Sequence, residues 1–566
     1  MSNYFVGLST TGHDPAFAIV NDQGKVILAE ATERFLQDKR AWGAMPDQLN
    51  HISPVFERIL ADDPAAQFQI ATSWQAAKTD TIANPQDAFI SSQVIDWMAS
   101  LQKQQQEYAG QNIYYVLGDR VSESVWRFDH HLCHAANAIY SAPFDNAACV
   151  ILDGEGEVGA ASLFTWSDGK IKRIWRSWGP GSLGAFYAWL TELCGFSSVK
   201  GEEWKVMGLA AFGKPDQEWV NRLSNLLEIA DGRIHWGNRS LLAETIPFFE
   251  SSVSFKNKPY MEAANLAASA QAAFSLYAQK ILADVYVQSR SDNLILAGGC
   301  ALNSAFNGTI IKTTPFKKVH VPSAPADDGN AVGAALLAWQ KATSESGRDA
   351  AIPHNQYGVY LGSQPFGAQI DKIFSNAGAY HARYCDGDGA KEVALLLAQG
   401  KIIGVMRGAA EFGPRSLGNR SILADPRSPE MKAKINAVIK GRESYRPFAP
   451  VIPLEKVADW FVDPQPSPYM SFTLKWKYPE CEQVPAVVHQ DGTGRLQTLT
   501  TETAPWLKSV TEYFGELTGV PILLNTSFNV MGKPIVHSVN DALSVFMTSG
   551  LDAVLIGTLL LTKEKL

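Results

Sequence analysis

The chain contains no run of about 18 consecutive apolar residues, which excludes a membrane-spanning helix of the usual kind. Its opening segment, MSNYFVGLSTTGHD, lacks the basic stretch and apolar core of a secretory leader, so a cytoplasmic protein is expected. Cysteine is scarce and scattered: Cys133, Cys149, Cys194, Cys300, Cys385 and Cys481 form no CxxC pair. That spacing argues against a zinc cluster or a disulfide frame and for reduced thiols. There is also no general excess of positive charge. The formal net charge is -8 and the pI is near 5.8, a poor match for a nucleic-acid binder. What is present is 566 residues, 46% of them hydrophobic, too many for one core. A multidomain α/β enzyme acting on a small molecule is expected, with no nucleic-acid or membrane partner.

Against this acidic background one segment stands out. Residues 401–450 hold ten Lys or Arg and four Asp or Glu, a local charge of +6. Arg415, Arg420, Lys440, Arg442 and Arg446 sit beside Gly, Pro or Asn, residues that let backbone N–H groups turn toward an anion. Guanidinium forks match phosphate and carboxylate oxygens bidentately, and lysine adds a point charge. The cations alternate with Phe412, Leu417, Ile422, Tyr445 and Phe448, a pattern of pocket walls more than of an open face.

The chain opens with an apolar strand, a GHD turn and a hairpin through Asn21 to Gly24. The same order returns in ACVILDGEGE and a hairpin through Ser167 to Gly169, a duplication with a period of about 140 residues. Duplicated units of this kind resemble the actin, sugar kinase and Hsp70 ATPase fold. Between the copies, Pro46 to about Gln105 reads as helical. A long Ala-rich helix follows from Tyr260, with Leu266, Ala270, Phe274, Tyr277 and Ile281 along one side. The polar stretch Thr343 to Gln356 reads as a linker, dividing the chain into domains of residues 1–350 and 351–566.

Candidate chemistry clusters at several points. In FDHHLCHAAN, His130 and His134 are spaced i, i+4 on a helix and would share one face, where paired histidines either pack or bind a metal. Asp153 ends an apolar strand and Asp327 precedes a helix, both in glycine turns suited to a metal–nucleotide site. Two His and two Asp suit a first-row divalent ion, Fe²⁺ foremost, or Mn²⁺ or Zn²⁺. GGCALNSA, with Gly298, Gly299 and Asn303, resembles an adenosine-binding loop. His13, Asp14 and Lys39 fall near the first phosphate loop as acid-base or anchoring groups. Trp175, Trp178, Trp189 and Trp204 lie close in sequence, either as core or as the wall of a substrate cleft.

Taken together, GHD, ERF, HHLCHAA, DGEGE, KVMGLAAFG, GGCALN, DDG, EFGPRSLGNRSILADPR, KGRESYRPFAP, DGTGRLQT and LLNTSFN resemble the NodU/CmcH-type O-carbamoyltransferases, in consistent order along nearly the whole chain. The resemblance implies a TsaD-like N-terminal domain with the duplicated actin/Hsp70-like ATPase fold and a YrdC-like C-terminal α/β domain. It implies formation of carbamoyl adenylate from carbamoyl phosphate and ATP, with Mg²⁺ accompanying ATP, and carbamoyl transfer to a hydroxyl of a small-molecule acceptor at a metal site. By the same resemblance, Arg415, Lys440, Arg446, Arg495 and Ser527, with Asn525 beside them, match the adenylate-forming pocket. His130, His134, Asp153 and Asp327 match the metal set, and His13 and Lys39 match residues at the transfer site. Ala410 and Ser416 depart from the family pattern beside the pocket. Two competing readings are a tRNA threonylcarbamoyladenosine-type modification enzyme and a non-catalytic ATP-binding switch. Neither the acceptor nor the oligomeric state is legible.

Overall fold

The computed structural model describes residues 2–75, 89–179, 181–348, 350–356, 358–365, 367–376, 378 and 380–563. The chain forms two compact units, one of Met1–Leu36 with Arg40–Gln356 and one of Gln37–Lys39 with Tyr357–Leu566. Among the described residues no helix is long and apolar enough to cross a membrane. All six cysteines are unpaired, with Cys133, Cys149 and Cys194 buried.

The larger unit is built on two sheets of matching topology. In the first, β1 (Asn3–Leu8), β2 (Ala16–Val20) and β3 (Val26–Ala31) form an antiparallel meander, and β4 (Gln67–Thr72) and β5 (Trp126–Arg127) extend it in parallel, in the order β3-β2-β1-β4-β5. In the second, β6 (Ala147–Leu152), β7 (Ala161–Ser167) and β8 (Lys170–Arg176) repeat the meander. There β11 (Asn293–Ala297) and β12 (Lys318–His320) take the places of β4 and β5, and a separate hairpin joins β9 (Leu227–Ala230) to β10 (Arg233–Trp236). The repeated order is that of a duplicated actin/Hsp70-like ATPase fold. Its strands read as near-continuous apolar runs, AFAIV and AACVIL, because helices cover their faces.

The Ala-rich segment forms the helix Ala264–Ser289, which buries Leu266, Ala270, Phe274, Tyr277 and Ile281 as its spacing requires. The helical reading of Pro46 to about Gln105 holds for two helices and is corrected between them. Helices Leu49–Asp62 and Ser92–Tyr108 flank strand β4, and residues 76–88 lie outside the described residues. In β4 the short run QFQIAT pairs in register with all of β1, a tertiary partner its glutamines do not advertise. The last helix of the unit, Asn330–Glu345, enters through two glycines. A side chain at Gly7 would meet Ala331 O at 1.9 Å, and one at Gly333 would meet Cys133 O at 1.9 Å. Only hydrogen fits where this helix wedges between β1 and helix His130–Ser141.

The stretch expected to be a linker is not loose at its end. Ala350 and Ile352 are buried, Asn355 N donates to Ala142 O at 2.9 Å, and Gln356 N donates to Tyr140 O at 3.0 Å. These backbone groups are thus spent on the larger unit rather than on water.

The smaller unit is an α/β layer around a nine-stranded mixed sheet. Its strands are β13 (His381–Tyr384), β14 (Ile403–Met406), β15 (Arg420–Ala424), β16 (Ala449–Pro453), β17 (Phe472–Lys475), β18 (Thr493–Leu499), β19 (Leu523–Ser527), β20 (Ala553–Ile556) and β21 (Leu559–Thr562). The order is β13-β21-β20-β14-β15-β19-β16-β18-β17. Helices Ala390–Ala398 and Pro505–Thr518 pack on it through Val393, Leu397, Leu507, Val510 and Phe514, against Val405, Leu423 and Leu523 of the strands. Strands β15, β18 and β19 carry the polar residues that concern function, Arg420, Arg495, Asn525 and Ser527.

Candidate functional site

Helix His130–Ser141 starts at Asp129, whose side chain caps it by accepting Leu132 N at 2.9 Å. Arg173 and Arg176 from β8 pair with the same carboxylate. This fixed start aims the two histidines one turn apart at a common point. His130 Nε2 lies 3.1 Å from Asp153 Oδ2 and 3.4 Å from Asp327 Oδ1. His134 Nε2 lies 3.2 Å from Asp153 Oδ2 and 3.3 Å from Asp327 Oδ1. The two Nε2 atoms are 3.2 Å apart. Asp153 follows β6 and Asp327 follows β12 in the turn before helix Asn330–Glu345, so the helix between the duplicated halves and two turns of the second half converge here.

All four side chains are buried, and their donor atoms lie within 4.8 Å of one another. Burial alone would depress the two imidazoles, but hydrogen bonds to Asp153 and Asp327 outweigh it and hold both above their usual range. Burial likewise opposes ionisation of Asp153, yet the bonds from both histidines hold it well below the carboxylate range. Four lone-pair donors concentrated in one buried point is the donor chemistry of a first-row divalent metal site, and the set fits such an ion. His131 faces elsewhere, with Nδ1 at 2.7 Å from Ser162 Oγ.

Supporting groups were not singled out by the sequence. Asn330 Nδ2 sits 3.1 Å from His130 Nδ1 and 3.2 Å from His134 Nε2. Glu157 accepts His130 N at 2.8 Å, and Trp74 stacks on the His130 ring at 4.4 Å. The GGCALN loop serves this same centre. Gly298 has φ +88, and its neighbour Gly299 donates its N–H to Asp153 Oδ1 at 2.9 Å. The Asn303 amide is taken up by Gln271, at 3.0 and 3.1 Å, and by Phe306 N at 3.0 Å. Of the three residues expected to hold an adenosine, Gly299 orients a carboxylate and Asn303 caps a helical turn, while Gly298 N donates to Pro325 O at 2.8 Å.

At the end of β1, His13 Nδ1 lies 2.9 Å from Asp14 Oδ2, 3.0 Å from Arg40 Nη2 and 3.6 Å from Asp327 Oδ2. Burial works against the Asp14 carboxylate, but Arg40 and His13 hold it below its usual range. Arg40 also donates to Ser198 O at 3.1 Å and covers the Trp42 ring. The cation that meets His13 is therefore Arg40. Lys39, the expected one, belongs to the smaller unit, where its charge is felt by Lys440. Of the four clustered tryptophans, Trp175 and Trp189 are buried and bonded to Gln288 and Glu250, while Trp178 is exposed.

In the smaller unit the glycine-punctuated loop before β15 winds around one carboxylate oxygen. Glu411 Oε1 accepts Leu417 N at 2.7 Å, Asn419 N at 2.7 Å and Arg420 N at 3.1 Å. Arg420, grouped by sequence with the anion-binding cations, turns inward instead. It is fully buried and donates to the carbonyls of Arg407, Asn419, Ser363 and Gly408 at 2.7 to 3.2 Å. Asn525 is also internal, giving its amide to Gln497 Oε1 at 2.8 Å and Ser416 O at 3.2 Å.

The remaining cations crowd together. Lys440 Nζ donates to Asn529 Oδ1 at 2.6 Å, to Asn529 O at 3.0 Å, to Ser527 Oγ at 3.3 Å and to Ser527 O. Burial, then Arg442 and Arg446, push its ammonium well below the usual range. Burial pushes Arg415 down to about 10. Burial, then Arg415, Arg442 and Arg446, depress Arg495 as well. Arg442 is held at 2.7 Å by Asn436 Oδ1, and Arg446 reaches Glu443 at 3.3 Å. Arginine keeps its proton at physiological pH, so these depressions express the cost of burying cations and, at Lys440 and Arg495, the repulsion of neighbouring cations, both of which a bound polyanion relieves.

Comparison with known proteins agrees with this two-part layout. Residues 4–336 match the family model described as carbamoyltransferase N-terminus, and residues 394–563 match that described as carbamoyltransferase C-terminus. Nodulation protein NolO of Bradyrhizobium diazoefficiens is 35% identical over 448 residues, 77% of this chain and 79% of that protein. Nodulation protein U of Sinorhizobium fredii is 32% identical over 449 residues, 74% of this chain and 75% of its own length. An uncharacterized Synechocystis protein, sll1178, is 31% identical over 99% of this chain and 97% of its own. Among solved structures, full-length HypF in a phosphate- and nucleotide-bound form aligns over 62% of this chain and 56% of its own, at 13% identity and a TM-score of 0.37.

Proposed function

The chain belongs to the carbamoyltransferase family, and from that membership we propose that it is an ATP-dependent O-carbamoyltransferase acting on a hydroxyl of a small-molecule acceptor of the secondary-metabolite type. The observation that carries the reading is the pairing, in one chain, of a crowded cation pocket with a separate buried His–Asp donor set.

The smaller unit would activate the carbamoyl group. Water splits the acyl–phosphate bond of carbamoyl phosphate to give carbamate and phosphate; a carbamate oxygen then bonds to the α-phosphorus of ATP as pyrophosphate leaves. Arg415, Arg446, Arg495 and Lys440 neutralise the phosphates as charge moves onto the departing pyrophosphate, each such contact contributing on the order of 3 kcal/mol. Ser527, joined to Lys440 and to Asn529 Oδ1 at 2.7 Å, keeps the ammonium in place.

Transfer would follow in the larger unit. The acceptor oxygen bonds to the carbonyl carbon of the adenylate, its proton passes to a base, and AMP departs. His13 would take or hold that proton, a role supported by the contacts of Asp14 and Arg40 with its ring. His130, His134, Asp153 and Asp327 would hold a divalent metal, which when bound supplies positive charge to offset that on the leaving AMP. The Trp74 ring and the buried donor set keep water from this point.

The test is to supply ATP and carbamoyl phosphate with candidate hydroxylated metabolites and look by mass spectrometry for the gain of one carbamoyl group. Carbamoyl-phosphate-dependent exchange of labelled pyrophosphate into ATP reports the first half alone. A protein that shows neither product nor exchange does not have this function.

A further inference from the structure

The turn that leads into β18 holds three side chains whose hydrogen bonds fix the position of one proton. Thr493 Oγ1 lies 2.7 Å from Asp491 Oδ1, an oxygen that also accepts Thr493 N at 3.1 Å. A carboxylate only accepts, so the threonine hydroxyl is the donor to it. The threonine oxygen is then left as acceptor for His489 Nδ1, 3.1 Å away. His489 therefore carries its proton on Nδ1, and Nε2 presents a lone pair.

That lone pair is isolated in a cationic setting. Nε2 is buried and meets no hydrogen-bond partner among the described residues. Burial first, and then Arg495 and Lys432 against the opposing charge of Asp491, push the imidazole down to about 4, so it stays neutral at physiological pH. Thr493, which holds His489, and Arg495 stand two residues apart on β18, on the same face of the strand, and Arg495 in turn feels Arg415, Arg442 and Arg446. The arginines of that cluster donate hydrogen bonds and accept none, and the nearby carboxylate of Glu443 is already paired with Arg446 at 3.3 Å.

Phosphates require only donors, and a pocket of arginine and lysine supplies them. The carbamoyl end differs, because its amino group carries N–H bonds that must find an acceptor when removed from water. We propose that His489 Nε2 accepts a hydrogen bond from the carbamoyl amino group, so that His489 selects a carbamoyl substrate over an acyl phosphate whose methyl group would face the lone pair. Asp491 and Thr493 are positioning residues for that tautomer. An acetyl group in this place would leave a buried acceptor without its partner, the situation in which a polar site discriminates most strongly. The inference rests on reading this unit as the one that activates the carbamoyl group.

The experiment measures pyrophosphate exchange in the full chain with carbamoyl phosphate and, separately, acetyl phosphate, for the native protein and for His489→Leu, His489→Gln and Thr493→Val. Absence of carbamoyl-dependent exchange in the native protein would overturn the activation reading itself, whatever His489 does. With native exchange present, His489→Leu should raise the KM for carbamoyl phosphate by about tenfold or more and leave the KM for ATP within about twofold. Acetyl phosphate should become a better competitor in that variant. His489→Gln, whose amide oxygen can accept, should recover part of the affinity. Thr493→Val keeps the imidazole but frees its tautomer, and should weaken carbamoyl phosphate selectively even if the leucine variant does not fold. An unchanged KM for carbamoyl phosphate, or equal rises for both substrates, would overturn the proposal.

Discussion

Arg40 and Asp14 form an ion pair at 3.1 Å, and both stand in the left-handed backbone region, at φ +62 and +48. Each such residue costs about 1 to 3 kcal/mol, so the rest of the fold holds the pair in place against strain. Its beneficiary is the His13 ring, which touches both partners. Replacing Arg40 by Met, or Asp14 by Asn, which tolerates the same backbone, should lower carbamoyl-product formation by about tenfold to a hundredfold. Exchange of pyrophosphate into ATP should not change. If both activities fall together in these variants, the pair does not act through His13.

Arg420 should behave unlike its neighbours in sequence. Its guanidinium bonds four backbone carbonyls of the loops beside the sheet, so Arg420→Met strands buried acceptors and should cost roughly 3 kcal/mol or more of stability. Chemical denaturation measures the loss. Arg415→Met, by contrast, should leave stability nearly unchanged or raise it, because it removes one member of a repelling group, while pyrophosphate binding weakens.

Metal content separates the donor set from ordinary packing. His134→Ala should abolish retention of a divalent metal through gel filtration, read by elemental analysis. Asn330→Ala should weaken it roughly 10- to 100-fold, since Asn330 lies on the two imidazoles without being a ligand. Native retention of metal in both variants would remove the metal assignment.

Acid should destabilise the larger unit through His320. Burial lowers its imidazole to about 3, where Nε2 meets Ser141 Oγ at 2.9 Å. The unfolded chain binds a proton below about 6.5 and the folded one does not until about 3, so stability rises with pH through this window and falls as acid is added. His320→Gln should flatten the dependence of the unfolding free energy on pH between 6.5 and the acid limit. An unaltered slope would assign the acid response to other groups.

What the sequence made legible was local. Two histidines at i, i+4, the two hairpins with their glycine turns, and the Ala-rich helix are written within a few residues each and appear as expected. What it hid depended on direction. Lys39 and Arg40 are neighbours with like charge, and a left-handed bend at Arg40 decides which reaches His13. Arg415 and Arg420 lie in one motif, yet the second turns inward because Glu411 gathers the loop N–H groups between them. Gly299 and Asn303 suggest ligand contacts by their motif, and the motif does not reveal their long-range partners at Asp153 and Gln271. Strand β4 was hidden for the same reason, its partner being more than fifty residues away.

The closing helix, Asn330–Glu345, has a consequence for how the protein is made. It wedges against Gly7 near the start of the chain, and the turn that precedes it carries Asp327, whose backbone oxygen accepts Ser9 Oγ at 2.7 Å. A ribosome adding about 5 to 20 residues per second needs roughly 15 to 65 s to reach that helix after β1 has emerged. During that interval β1 waits with one face uncovered. A chain stalled before that turn holds both histidines and Asp153 but lacks the last carboxylate, so truncated products would be inert and prone to capture by chaperones.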